Sequence, residues 1–322
     1  MIATSLCASG TEYRTRLIVC LHKKIAGEHC LKCELSNEHL ALSIVPFFDS
    51  SRPQVFAHRG GCDLGPENTI AAFDLGIAAQ ADGLELDVHL SADGVVVVHH
   101  DTTLDRTTDA TGPVAAKNAD ELARVDAGYR FARGGAFPFR GKGIGVPTLA
   151  DVLRRYRGVP TIIEIKVYTT AMGDAVAQEI RRANALDYVC VAGFGRPSAR
   201  AARAALPGVP ASACHAEVRL ALYRSWLRWP IRHAAYHTYQ VPESAEGTRI
   251  VSPRFIRYAH KAGFKVQVWT VDEEDDMRRL LAWGVDGLIS NRPEVAVRVR
   301  DQFLATKATK TDQPQSTLRT QG

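Results

Sequence analysis

The chain is expected to fold as an α/β protein of the TIM-type (β/α)8 barrel class, with a small insertion after an early β-hairpin. Three observations carry that expectation. Short apolar runs of strand character recur at Val55–Ala57, Gly83–Leu90, Val159–Val167, Tyr188–Ala192, Val209–Ala213, Ala234–Gln240, Phe264–Val271 and Val285–Ile289. Helix-period segments lie between them. The length of 322 residues, 46% hydrophobic and 23% charged, holds one large barrel or two smaller domains.

The first run, Val55-Phe56-Ala57, ends in a glycine-rich turn carrying His58 and Arg59. Gly60, Gly61 and Gly65 let backbone approach a ligand, and the planar fork of Arg59 suits a phosphate. Asn68 or Thr69 then caps a helix with Ile70, Phe73 and Ile77 on one side. In Gly83–Leu90 the residues Leu84, Leu86, Val88 and Leu90 face one way, and Glu85, Asp87 and His89 face the other. Two carboxylates so close repel unless a cation lies between them, and oxygen ligands of this kind suit Mg²⁺ or Ca²⁺. The turn Ser91-Ala92-Asp93-Gly94 is too short for a parallel crossover. The run Val95–His99 must therefore return antiparallel, bringing His100 beside Glu85 and Asp87, with His99 turned to the opposite face.

Residues 109–145 are long and rich in Gly, Pro and aromatics, which reads as a small functional insertion or a mobile surface loop. Thr148 and Ser252 cap later helices. In Thr161–Lys166, Glu164 and Lys166 share a face and either serve a site or neutralise each other. Trp269, at a strand end, is a core aromatic or the wall of a pocket. The segment 220–232 is apolar, aromatic and basic, with Arg224, Arg228 and Arg232 at helical spacing. It packs on the barrel, rests on a membrane, or receives an acyl chain.

Residues 1–52 show no sustained period and read as an ill-ordered extension; 53–304 form the barrel, and 305–322 a disordered polar tail. The net charge of +5, from 40 basic and 35 acidic residues, is mild. It reads as a mixed solvated surface or as a help in drawing an anionic substrate or membrane surface, and is too small to argue for nucleic acid. Seven cysteines without regular spacing do not make a disulfide framework. Cys30-x-x-Cys33, near His22 and His29, lacks the second ligand pair of a zinc site, and Cys62 reads as a small filler. No apolar run reaches the length of about 18 residues needed for a membrane span, and none forms a convincing signal core. A cytoplasmic protein, at most peripheral to a membrane, is the expectation.

Several of these stretches resemble the glycerophosphodiester phosphodiesterase family. The family's His-Arg-Gly and Pro-Glu-Asn-Thr stand as His58-Arg59-Gly60 and Pro66-Glu67-Asn68-Thr69. Its Glu-x-Asp stands as Glu85 and Asp87, and its His-Asp-x-x-Leu-x-Arg-Thr runs from His100 to Thr107. Its Glu-Ile-Lys is Glu164-Ile165-Lys166, and late motifs match around Trp269 and Gly284–Pro293, although the family more often has Thr-Asp where Ser290-Asn291 stands. The resemblance implies a metal-dependent hydrolase of glycerophosphodiesters, with residues 109–145 as an insertion folding over the barrel mouth. Glu85, Asp87 and Glu164 would hold the divalent ion, Arg59, Lys166 and Trp269 would contact substrate, and His58 and His100 would exchange protons. A looser likeness to the lysophospholipase-D-like branch implies a lysophospholipid substrate. A sphingomyelinase-D-like lyase and an inactive barrel that binds phospholipid headgroups are the other readings.

Overall fold

The computed structural model describes Phe47, residues 50–231 and residues 234–311; the Cys30/Cys33 pair and most of the N-terminal extension lie outside the described residues. Strands form where apolar alternation is densest: β1 (Gln54–Ala57), β2 (Gly83–Leu90), β3 (Val96–Val98), β4 (Thr161–Ile165), β5 (Val189–Ala192), β6 (Thr238–Pro242), β9 (Lys265–Trp269) and β10 (Gly287–Ser290). A small outer hairpin, β7 (Ser244–Ala245) with β8 (Thr248–Arg249), interrupts the series. The path β5-β4-β2-β1-β10-β9-β6 is parallel throughout, and within this sheet β3 alone is antiparallel, paired on β2 with Val88 opposite Val98. The hairpin inferred from the four-residue turn is therefore present.

Closure of the circle corrects one expectation. Val209–Ala213 is not a strand. Its residues make single parallel bridges, Val191 to Ala211 on one side and Ser212 to Thr238 on the other. Pro210 has no amide hydrogen to donate, which thins the ladder there. Its carbonyl still accepts from Val191 N at 2.9 Å, and Ala213 N donates to Thr238 O at 2.9 Å. Seven parallel strands and this thin link make up the barrel.

Helices ring the sheet: α1 (Ile70–Ala78), α2 (Ala119–Leu122), α3 (Leu149–Arg155), α4 (Thr170–Arg182), α5 (Arg196–Ala205), α6 (His215–Leu227), α7 (Pro253–Lys261), α8 (Glu274–Trp283) and α9 (Pro293–Thr311). Thr69, Thr148 and Ser252 cap α1, α3 and α7 by accepting from the amides of Ala72, Asp151 and Phe255. The outward faces of the strands pack on the helices in two clusters, one holding Leu84, Leu86, Val88 and Ile163, the other Val266, Val268, Leu288 and Phe255. Phe47 stacks on Phe56, so ordered packing begins ahead of residue 53. At the other end α9 runs to Thr311, past the expected boundary at 304, because Ala, Lys and Thr continue the helix without a breaker. The insertion packs around Val97, Leu104, Val114 and Leu122, and none of residues 109–145 lines the central cavity described below.

Gly83 marks the tightest approach. A Cβ there would lie 2.3 Å from Pro160 O and 2.7 Å from the Phe56 ring. Gly83→Ala is expected to lower stability by about 1–3 kcal/mol, read as a lower urea midpoint with an unchanged m-value.

Candidate active site

The eight residues singled out from sequence converge. His58, Arg59, Glu85, Asp87, His100, Glu164, Lys166 and Trp269 all line one cavity of about 190 Å³ at the C-terminal ends of the strands. The turn after β1 does the first part of this. Arg59 is left-handed (φ 52°), as is Gly60 (φ 90°), where a Cβ would meet the backbone of Ala72 at 2.7 Å. This geometry aims the Arg59 amide at Glu85 Oε2, 3.0 Å away.

Parallel pairing sets Asp87 opposite Glu164 in register, and the alternation of β2 puts Glu85 on the same inner face. One oxygen from each of these three carboxylates lies within 4.8 Å of the others. Lys166 Nζ is 2.6 Å from Glu164 Oε1 and 3.1 Å from Asp87 Oδ1. Arg59 Nε is 3.1 Å from Asp87 Oδ2, an ion pair without hydrogen-bond alignment. Burial, then the charges of Asp87 and Glu164, hold the Glu85 carboxyl well above its usual range. Burial and Asp87 likewise raise Glu164. Asp87 is buried too, but Lys166 and Arg59 outweigh that and lower it. Two cations thus face three acids, and the deficit of positive charge falls on Glu85 and Glu164.

Each imidazole is held through Nδ1. Asn291 donates Nδ2 to Asp272 Oδ2 at 2.8 Å, so its Oδ1 faces His58 Nδ1 at 2.7 Å and accepts that proton. His58 Nε2 is left toward Glu85 Oε2, 3.8 Å away. Burial and the charge of Arg59 keep His58 below the ordinary histidine value. His100 Nδ1 meets Asp101 Oδ1 at 2.6 Å, which leaves Nε2 as the ring nitrogen outside that pair. Its neighbour His99 is buried with Nε2 on Thr103 O at 3.0 Å and does not line the cavity. Trp269 is half-buried, edge-on to Phe194 with ring centroids 5.8 Å apart. Cys62 Sγ donates to His58 O at 3.4 Å, and burial pushes its thiol up, so it is a neutral filler.

Further side chains hold these groups in place, among them Asn68, which the sequence offers only as a helix cap. Asn68 donates Nδ2 to Asp87 Oδ2 at 2.9 Å and accepts from Asp87 N at 3.2 Å, leaving the helix cap to Thr69. Glu67 accepts from Arg59 and, through both oxygens at 2.7 Å, from Arg106. Arg106 in turn holds Asp101 at 2.7 Å, so one chain of charges ties Arg59 to His100. The signature positions themselves signalled Glu67, Asn68 and Asp101. Nothing local signalled Asp272.

The chain is similar to known proteins along most of the barrel. Residues 58–295 match the model of the glycerophosphoryl diester phosphodiesterase family. A glycerophosphodiester phosphodiesterase of Caldanaerobacter subterraneus is 32% identical over 259 residues, 76% of this chain and 96% of that protein. The crystal structure of a glycerophosphodiester phosphodiesterase from Agrobacterium tumefaciens superposes with a TM-score of 0.61 at 28% identity, covering 76% of this chain and 99% of that one. An Oleispira antarctica phosphodiesterase, solved in complex with the product sn-glycerol-3-phosphate, gives a TM-score of 0.62 at 25% identity over 78% of this chain and 97% of its own. The match over most of the barrel establishes that the chain belongs to the glycerophosphoryl diester phosphodiesterase family.

Proposed function

We propose that the protein hydrolyses glycerophosphodiesters to sn-glycerol 3-phosphate and an alcohol, with Glu85, Asp87 and Glu164 holding a divalent cation, Mg²⁺ or Ca²⁺. The observation that carries this reading is the meeting of three carboxylates and two imidazoles in one cavity. The donors fit a hard cation, since all are carboxylate oxygens and their charge exceeds that of Arg59 and Lys166. When bound, such an ion supplies charge stabilisation to phosphoryl oxygens.

The protein's own groups do the rest. Arg59 and Lys166 are fixed in place by Glu67, Asp87 and Glu164 and add preorganised positive charge beside the phosphate. His58 and His100 act as the general acid and base through their Nε2 atoms, one taking the proton of the attacking oxygen, the other delivering one to the leaving alkoxide. Buried Gln240, whose Oε1 has no partner among the described residues, offers an acceptor to a substrate hydroxyl. Turnover assayed across glycerophosphodiesters, with metal added back to the stripped protein, tests the reading. Release of glycerol 3-phosphate is expected, and no hydrolysis of any diester would refute it.

A second reading, lysophospholipase D-type hydrolysis, has its own observation. An apolar groove of about 440 Å³ lined by Tyr168, Val218, Val241 and Ile250 opens beside the cavity and shares Phe194 and Trp269 with it. An acyl chain seated there would leave the phosphodiester among the charged groups. Lysophosphatidylcholine is then expected to show a lower KM than glycerophosphocholine, and Ile250→Asp to raise only the former. A preference for the water-soluble substrate would rule this out.

A further inference from the structure

Eight large hydrophobic side chains are exposed among the described residues, and five of them fall between 220 and 229: Leu220, Tyr223, Trp226, Leu227 and Trp229. Helix α6 buries its opposite side, Val218, Ala221, Leu222 and Ser225, on the barrel. Leu220, Tyr223 and Leu227 therefore recur at i, i+3 and i+7 on the outer side, and Trp226 stands edge-on to Tyr223 at 5.4 Å. The ridge is pinned from α7. Arg254 donates to the carbonyls of Ser225 and Trp226 at 3.2 and 2.6 Å, and Tyr258 to that of Trp229 at 2.6 Å.

Beside the ridge, between α5 and α6, lies a depression of about 520 Å³ lined by Arg196, Arg200, Arg203 and Arg224, with Leu220 on its rim. Its one acidic lining residue, Glu217, is taken up by a two-pronged pair with Arg203 at 2.8 and 2.8 Å. Arg196, Arg200 and Arg224 have no acidic partner among the described residues. Arg219, and Arg228 just beyond the helix end at Leu227, are exposed on the same segment.

We propose that this face binds the surface of an anionic phospholipid bilayer, with the arginine-lined depression taking lipid phosphates and the aromatic ridge entering the interface. Tryptophan and tyrosine are suited to headgroup depth, where ring and polar edge are both satisfied. Unpaired guanidinium groups favour lipids of negative charge. A second copy of the chain is a poorer occupant, because a twofold contact would set this cationic depression against itself. The inference narrows the membrane contact expected of 220–232 to one helix side and adds Arg196 and Arg200 from α5. It does not depend on the catalytic reading.

Cosedimentation of the full chain with vesicles tests it. Phosphatidylcholine vesicles containing roughly one third phosphatidylglycerol are expected to bind the protein at least about tenfold more tightly than pure phosphatidylcholine, and less so as salt rises. Trp226→Ser/Trp229→Ser and Arg196→Glu/Arg200→Glu should each weaken that binding by about tenfold, with far-ultraviolet circular dichroism and turnover of glycerophosphocholine unchanged. The proposal is overturned if the wild type does not distinguish the two vesicles, or if both double variants bind like the wild type. Self-association abolished by the same substitutions would assign the face to a second copy and overturn it equally.

Discussion

His58→Ala and His100→Ala are each expected to lower turnover of a glycerophosphodiester by roughly 10²–10⁴, the usual worth of a positioned proton-transfer group. Both rings are anchored through Nδ1, by Asn291 and by Asp101, so each presents a single nitrogen to the cavity. Removing either ring leaves Arg59, Lys166 and the carboxylates in place, and KM should change much less than kcat. Loss of kcat with KM nearly constant is the signature of a group that acts in the transition state. His99→Ala supplies the contrast. That ring is bonded to a backbone carbonyl away from the cavity and should affect stability more than the reaction. Near-normal steady-state turnover in both His58→Ala and His100→Ala would remove the acid–base assignment.

The second large effect concerns the carboxylates. Treatment with a chelator is expected to reduce activity by roughly 10²–10³ or more, with recovery on adding Mg²⁺ or Ca²⁺. Glu85→Gln and Glu164→Gln should shift the concentration of ion needed for recovery upward, because each replaces a charged carboxylate by a neutral amide with a single, weaker oxygen donor. Asp87 plays a different part. It is tied to Asn68, Arg59 and Lys166, so Asp87→Asn would also loosen the cations that face the phosphate. If a thoroughly stripped protein keeps full activity, the carboxylates serve only to hold Arg59 and Lys166.

The barrel and the grouping of Glu85, Asp87 and His100 were legible in local pattern, whereas Glu164 and Lys166 were assigned to the site by the family resemblance. Alternation in β2 alone put Glu85 and Asp87 on one face, and the four-residue turn alone forced β3 back alongside it. What escaped depends on partners distant in the chain. Asp272 is hydrogen-bonded to His58 through Asn291, brought there by the adjacency of β9 and β10. Arg106 reaches Arg59 only through Glu67, thirty-nine positions away from it along the chain. The thin link at 209–213 misled because its apolar residues fit a strand while Pro210 cannot complete the ladder. At the departure from the family's pattern, Asn291 bonds His58 Nδ1, and its amide donates to the carboxylate of Asp272, 19 positions earlier in the chain.

Diffraction from crystals grown with Ca²⁺ bears most directly on the cation proposed at the barrel mouth. The arrangement of Glu85, Asp87 and Glu164 predicts a single ion among their oxygens. An ion bound elsewhere, or those oxygens still paired only with Arg59 and Lys166 at saturating Ca²⁺, would contradict it.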